Sequence, residues 1–315
     1  SFPMAFNPFP FGSSSFDYST VGNSGVLTTG NVIFVSSTAS NASNGNLGDR
    51  PEVPLATLEG AYNHSRMVAN EGTTVVLMPG HTEAVSAAGS ITADIAGVRV
   101  IGWGNGDNRP VITYTTVVGA DIDISGANTV FENIVFDMTG LDAITAGIDP
   151  TAAGIEFRNC KFLMADGDGQ AAAAIITDVN CNRFKIIGCD VQAPDAGAVN
   201  FVRLVGAMND VEIAYNRISG DFSDAAVENP TGNVITRLDI HDNYIHNANA
   251  ADWAIELVSA CTGTIRNNML VTDAIATALD PGSCYCFGNL FYDLSDPDLS
   301  GTQIPAASTT AGVGI

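Results

Sequence analysis

Between residues 98 and 293 the chain repeats a six-residue pattern: apolar, any, turn former, ladder residue, any, apolar. It reads FENIVF (131–136), FRNCKF (157–162), IIGCDV (186–191), IAYNRI (213–218), IHDNYI (240–245), IRNNML (265–270) and CFGNLF (286–291). Successive copies start 26, 29, 27, 27, 25 and 21 residues apart, and a weaker copy, VIGWGN, begins at Val100. A fixed period of that length is the mark of stacked structural repeats. Apolar residues at positions one and six would point inward from two short strands joined by a tight bend. The fourth position holds Ile134, Cys160, Cys189, Asn216, Asn243, Asn268 and Asn289. Asparagine tolerates the left-handed backbone that a tight bend demands, so the bend is assigned to these residues. Stacked coils would place them about 4.8 Å apart, close enough for identical amides to hydrogen-bond along the stack. Cys160 and Cys189 would continue that column as small buried plugs. The prediction is an all-β parallel solenoid of about eight coils, about 40 Å long. A β-sandwich leaves four asparagines at one template position unexplained, and a propeller needs longer repeats.

The flanks differ from the repeats. NVIFVSS (31–37) alternates like a strand, and a loop rich in Asn, Gly and Pro follows it. Leu55, Leu58, Ala61 and Tyr62 sit at helical spacing, with Thr57 as N-cap and Gly72 as a stop signal. TVVLMPG (74–80) reads as a further strand. Five of the fifteen phenylalanines, Phe2, Phe6, Phe9, Phe11 and Phe16, fall in the first sixteen positions, interleaved with Pro3, Pro8 and Pro10. Asp17 is the only charge before Asp49. Proline excludes a helix there, and an extended apolar strip cannot form its own core, so it is expected to be buried on another subunit. The division is an arm at 1–30, a strand, loop and capping helix at 31–97, the solenoid at 98–293 and a small, polar tail at 294–315.

Charge narrows the partners. Asp and Glu number 34 against 12 Lys and Arg, a net −22 over 315 residues. Phosphate binding needs clustered bases, so nucleic acid is excluded, and an anionic membrane surface is disfavoured. No apolar run is long enough to span a bilayer, and the first residues lack the basic and apolar regions of a secretion signal. The six cysteines are therefore expected as free thiols.

The strand with its Asn/Gly loop, the PLATLEGAY segment followed by TVVLMPGHTE, and the Asn-bearing coils together resemble the right-handed parallel β-helix (pectate-lyase-like) superfamily over residues 31–293. That resemblance implies a helix capping the N-terminal end of the solenoid. With the apolar arm it is similar to trimeric virion proteins of tailed phages, of the capsid-decorating (cement) or tailspike type.

The superfamily includes lyases, glycosidases and esterases. Arg158, Lys161, Arg183 and Lys185 lie on consecutive coils, and the reading is that they offset acids on a solvated face. Asp121 with Asp123, Asp166 with Asp168, and Asp239 with Asp242 are candidate carboxylate pairs. No GxSxG occurs, and His241 and His246 have no evident Ser or Cys nucleophile. ADGDGQ (165–170) lacks a full calcium-loop ligand set, Cys284 and Cys286 are too few for zinc, and His64 and His81 have no metal-spaced neighbours. Trp103 and Trp253 are read as packing under loops.

No catalytic set, cofactor or metal is expected. The resemblance and the arm imply a non-enzymatic structural protein on a phage capsid surface. It would be made in the host cytoplasm, homotrimeric, and stapled to the major capsid protein by Phe2, Phe6, Phe9, Phe11 and Phe16. The alternative is a tailspike-type protein that binds or depolymerises polysaccharide.

Overall fold

The computed structural model describes residues 28–166, 169–257, 260–274 and 278–295. The five arm phenylalanines, Asp168 and nearly all of the tail lie outside the described residues.

Three parallel sheets wind into a right-handed β-helix. The first has ten strands, from Val32–Val35 to Tyr285–Phe287; the second has nine, from Thr82–Val85 to Leu290–Asp293; the third has eight, from Ile91–Thr92 to Leu279–Asp280. Every strand pairs in register with its counterpart one coil away, so each interior position becomes a column. Template position one gives the first-sheet column Phe131, Phe157, Ile186, Ile213, Ile240 and Ile265. Position six gives the second-sheet column Phe136, Phe162, Val191, Ile218, Ile245, Leu270 and Phe291. Ile91, Ile122, Ile148, Ile175, Val202, Val227, Ile255 and Leu279 form the third. All are buried. In-register stacking also lays Phe131 on Phe157 and Phe136 on Phe162, with ring centroids 5.6 and 5.2 Å apart.

The corner between the first two sheets departs from the expectation by one residue. The left-handed residue is position three, not position four: Asn133, Asn159, Gly188, Tyr215, Asp242, Asn267 and Gly288 all have φ between 48° and 67°. Position four follows the bend with its side chain buried. Asn216 Nδ2 donates to Ile186 O (2.9 Å) and to Asn243 Oδ1 (3.0 Å). Asn243 repeats this toward Ile213 O and Asn268 Oδ1, and Asn268 toward Ile240 O and Asn289 Oδ1. Each Oδ1 also accepts the backbone N–H of the ladder residue one coil earlier. Both donors and both acceptor positions of Asn243 and Asn268 are thereby used, and Asn216 uses both donors and accepts from Cys189 N, as a buried amide requires. The Cys160 and Cys189 thiols reach the equivalent carbonyls, Phe131 O and Phe157 O, at 3.5 and 3.7 Å. All six cysteines are unpaired, five of them buried.

Helix α1 (Leu58–Tyr62) is shorter than the apolar spacing suggests. The Thr57 hydroxyl caps it by accepting from Gly60 N, and the Glu83 carboxylate accepts from Leu58 N at 2.6 Å. Asn63 ends it. It packs against Val32–Val35, Thr74–Leu77 and Ile91–Thr92, standing where a third-sheet strand of the first coil would lie. Its Glu59 carboxylate accepts the Thr92 N–H at 2.8 Å, occupying a donor of the edge strand. No helix among the described residues is long and apolar enough to cross a membrane.

Candidate functional site

Chemistry on a closed solenoid is confined to its outer faces, where in-register pairing turns single positions into rows. Three rows carry polar groups.

On the third sheet the outward row runs Thr92, Asp123, Asp149, then Arg203, Glu228, Glu256 and Asp280. One carboxylate oxygen each from Asp121, Asp123 and Asp149 lies within 4.8 Å of the others. The pair Asp121 and Asp123 is thus joined by a third acid from the next coil, which linear spacing did not reveal. Asp149 Oδ1 is enclosed and has no hydrogen-bond donor among the described residues. Burial, then repulsion from Asp121, Asp123 and Asp178, pushes Asp149 up to about 6. Three carboxylates could supply part of the oxygen shell of a divalent cation, which takes six or more ligands. Further along, Arg203 Nε donates to Glu228 Oε2 at 2.7 Å. Glu256 has no such base among the described residues: burial, then Asp224, Glu228 and Asp280, push it up to about 7.

On the first sheet the signs mix. Lys185 Nζ contacts Glu212 at 2.6 Å, and Arg266 forms a two-pronged pair with Asp239 at 3.2 and 2.8 Å. His241 lies between Asp242 (2.8 Å), Glu212 (3.4 Å) and Asp239 (3.7 Å), with the Tyr215 ring edge-on at 5.3 Å. Asp239 and Asp242 are brought together here. Lys185 holds Glu212 below the usual carboxylate range. Burial pushes Asp239 up, but hydrogen bonds from Arg266 and Thr264 outweigh it and leave it lowered. Arg158 pairs with Glu156, so two members of the basic quartet are neutralised. Lys161 belongs to the second sheet, and Arg183 sits in a left-handed turn.

On the second sheet one expectation is overturned. His246 does face a hydroxyl: Ser219 Oγ lies 3.2 Å from its Nδ1. The residues are 27 apart, one coil, and only register brings them together. The remaining candidates have structural places. His81 is fully buried, accepting from Ser37 N and bonding Glu83, and His64 bonds Asn46 O. Trp103 packs on Phe34. Burial raises the Cys284 and Cys286 thiols to about 12 and about 11. Ala165–Asp166 and Gly169–Gln170 pair as a small hairpin, and the Asp166–Asp168 pair lies outside the described side chains.

No family model matches the chain, and no match was found among curated proteins. Among solved structures it is similar to a rhamnogalacturonan lyase, at 12% identity and a TM-score of 0.57, over 84% of this chain and 74% of that one. It is also similar to the GH136 lacto-N-biosidase of Eubacterium ramulus, at 11% identity and 0.54, over 84% and 55%. Geobacillus virus E2 ORF18 aligns at 13% identity and 0.47, over 83% and 61%. At these identities the likeness to the lyase and the lacto-N-biosidase establishes the parallel β-helix and nothing about chemistry.

Proposed function

We propose that the chain is a structural component of a phage virion, a decoration protein that sits as a homotrimer on the capsid surface and grips the major capsid protein through its N-terminal arm. The observation that carries this reading is the arm itself: five phenylalanines and no charge in the first sixteen residues, leading into a rod with a complete core of its own. The arm's exit supports it. Thr28 and Thr29 hydrogen-bond Gly72 O and Glu71 O at 2.6 and 3.0 Å, fixing the departure point at the α1 end of the rod. A cavity of about 200 Å³ opens there, lined by Thr28, Thr29, Gly72, Thr74 and Arg99 among others. A fully buried phenylalanine contributes about 1.5–3 kcal/mol, so five would leave a useful surplus after ordering losses. Deleting residues 1–27 should leave a rod that melts like the full chain but no longer binds undecorated heads. Equal binding by the truncated protein would refute the reading.

A tailspike-type role is the second reading. The first-sheet cluster of Glu212, Asp239, His241 and Asp242 beside the exposed Tyr215 favours it, because paired carboxylates with an aromatic platform suit a glycan. Release of reducing ends from host polysaccharide, lost in Asp239→Asn, would decide for it.

A further inference from the structure

Ser219 and His246 occupy successive coils of the outward row of the second sheet, between Gln192 on one side and Val271 on the other. Both side chains are partly exposed. The His246 Nε2 atom is enclosed and has no hydrogen-bond partner among the described residues, whereas Nδ1 faces the serine hydroxyl at 3.2 Å. Burial lowers the His246 pKa, opposed by the nearby Asp273, which favours the neutral ring; in the tautomer that carries its proton on Nε2, the Nδ1 lone pair faces the hydroxyl and can accept a proton. Two groups that can stabilise negative charge occupy neighbouring positions of the same face. Gln192 Nε2 donates to Asp190 Oδ2 at 2.8 Å, leaving its second N–H for another acceptor. Arg217, two residues before Ser219 on the same face, is exposed, with its guanidinium 5.8 Å from the Tyr244 ring centroid.

We propose that Ser219 is a nucleophile, with His246 as its general base, acting on short-chain carboxylic esters such as an acetyl group carried on a larger molecule. Ser219 and His246 are both partly exposed, so an ester projecting from a bulky carrier can reach them, and the row closes at the buried Val271 rather than opening into a slot for a long acyl chain. Ser219 Oγ attacks the acyl carbon while its proton passes to His246 Nδ1. The bond to the leaving alcohol breaks, and that alcohol takes the proton. Water then attacks the acyl-serine, gives a proton to Nδ1, and the Oγ–carbon bond breaks as the proton returns to Ser219. The net change is ester and water to carboxylic acid and alcohol. This chemistry is independent of the arm and of any assembly role.

The test is labelling of the full-length protein with a reporter-bearing fluorophosphonate, mapped by peptide mass spectrometry, alongside hydrolysis of p-nitrophenyl acetate. The expected result is an adduct on Ser219, absent in Ser219→Ala, with labelling slowed at least about 100-fold in His246→Asn. Thermal melts confirm that both variants stay folded. Labelling no greater than in heat-denatured protein, or undiminished in Ser219→Ala, would overturn the nucleophile. Labelling of His246→Asn at the wild-type rate would overturn the base.

Discussion

The asparagine column in the interior and the carboxylate row on the third sheet are built by the same geometry, one side chain per coil in register. Their electrostatics are opposite. An amide is both donor and acceptor, so Asn216, Asn243, Asn268 and Asn289 satisfy one another. Ionised carboxylates accept only, so stacking makes each a burden on the next, and Asp149 and Glu256, raised first by burial and then by these neighbours, hold their protons to about 6 and about 7. The first sheet shows the remedy: where bases are interleaved, Glu212 and Asp239 are held low. In-register stacking has no sign of its own; it multiplies whatever group the repeat presents.

Exchanging the two chemistries is the strongest way to break this contrast. Asn243→Asp keeps the side-chain shape but replaces donors to Ile213 O and Asn268 Oδ1 with acceptors in a buried site. It should destabilise the rod by about 3–5 kcal/mol at pH 7 in urea unfolding, with partial recovery at acid pH. A loss below about 1 kcal/mol would mean the ladder contributes little. The reverse exchange, Glu256→Gln, should stabilise at pH 8 by about 1 kcal/mol or less, since this partly exposed group is screened by solvent. That gain should vanish near pH 5, where the native residue is protonated. The wild-type chain provides the gentlest test. Asp149 and Glu256 have folded pKa values raised above their unfolded ones, so between about pH 4 and 7 the folded state binds more protons. Their contribution to stability therefore falls as pH rises through that window. Glu212 and Asp239, held low, lose their contribution only below it. Melting temperature should rise by a few degrees from pH 7.5 to pH 5.5; a fall would mean that the third-sheet acids titrate normally.

Much of the coil was legible in the linear pattern because each copy carries its own inward pair, Phe131 with Phe136 or Ile240 with Ile245. The corner was misplaced by one residue because Asn stands at both positions three and four in IRNNML, and only the backbone distinguishes them: Asn267 is left-handed and Asn268 is the rung. Helix α1 was overextended because Gly72 was read as its stop signal, whereas the helix ends at Asn63. The third sheet left no template, since the stretches leading to it vary in length. That is why Asp149 was not joined to Asp123. Ser219 and His246 were missed for a related reason: their contact spans a coil and depends on register rather than neighbouring residues.

One consequence follows from the helix at the start of the rod. With α1 standing in for a third-sheet strand and Glu59 occupying the Thr92 amide, the third-sheet edge at that end is blocked to a foreign strand. Fibre growth by end-on stacking needs two adhesive ends per molecule. Through the third sheet, a rod blocked at this edge can meet a second rod only at the opposite edge strand, Leu279–Asp280, and the pair then has no third-sheet edge left to recruit a third. A high local density of such rods would therefore not, by this route, turn into filaments.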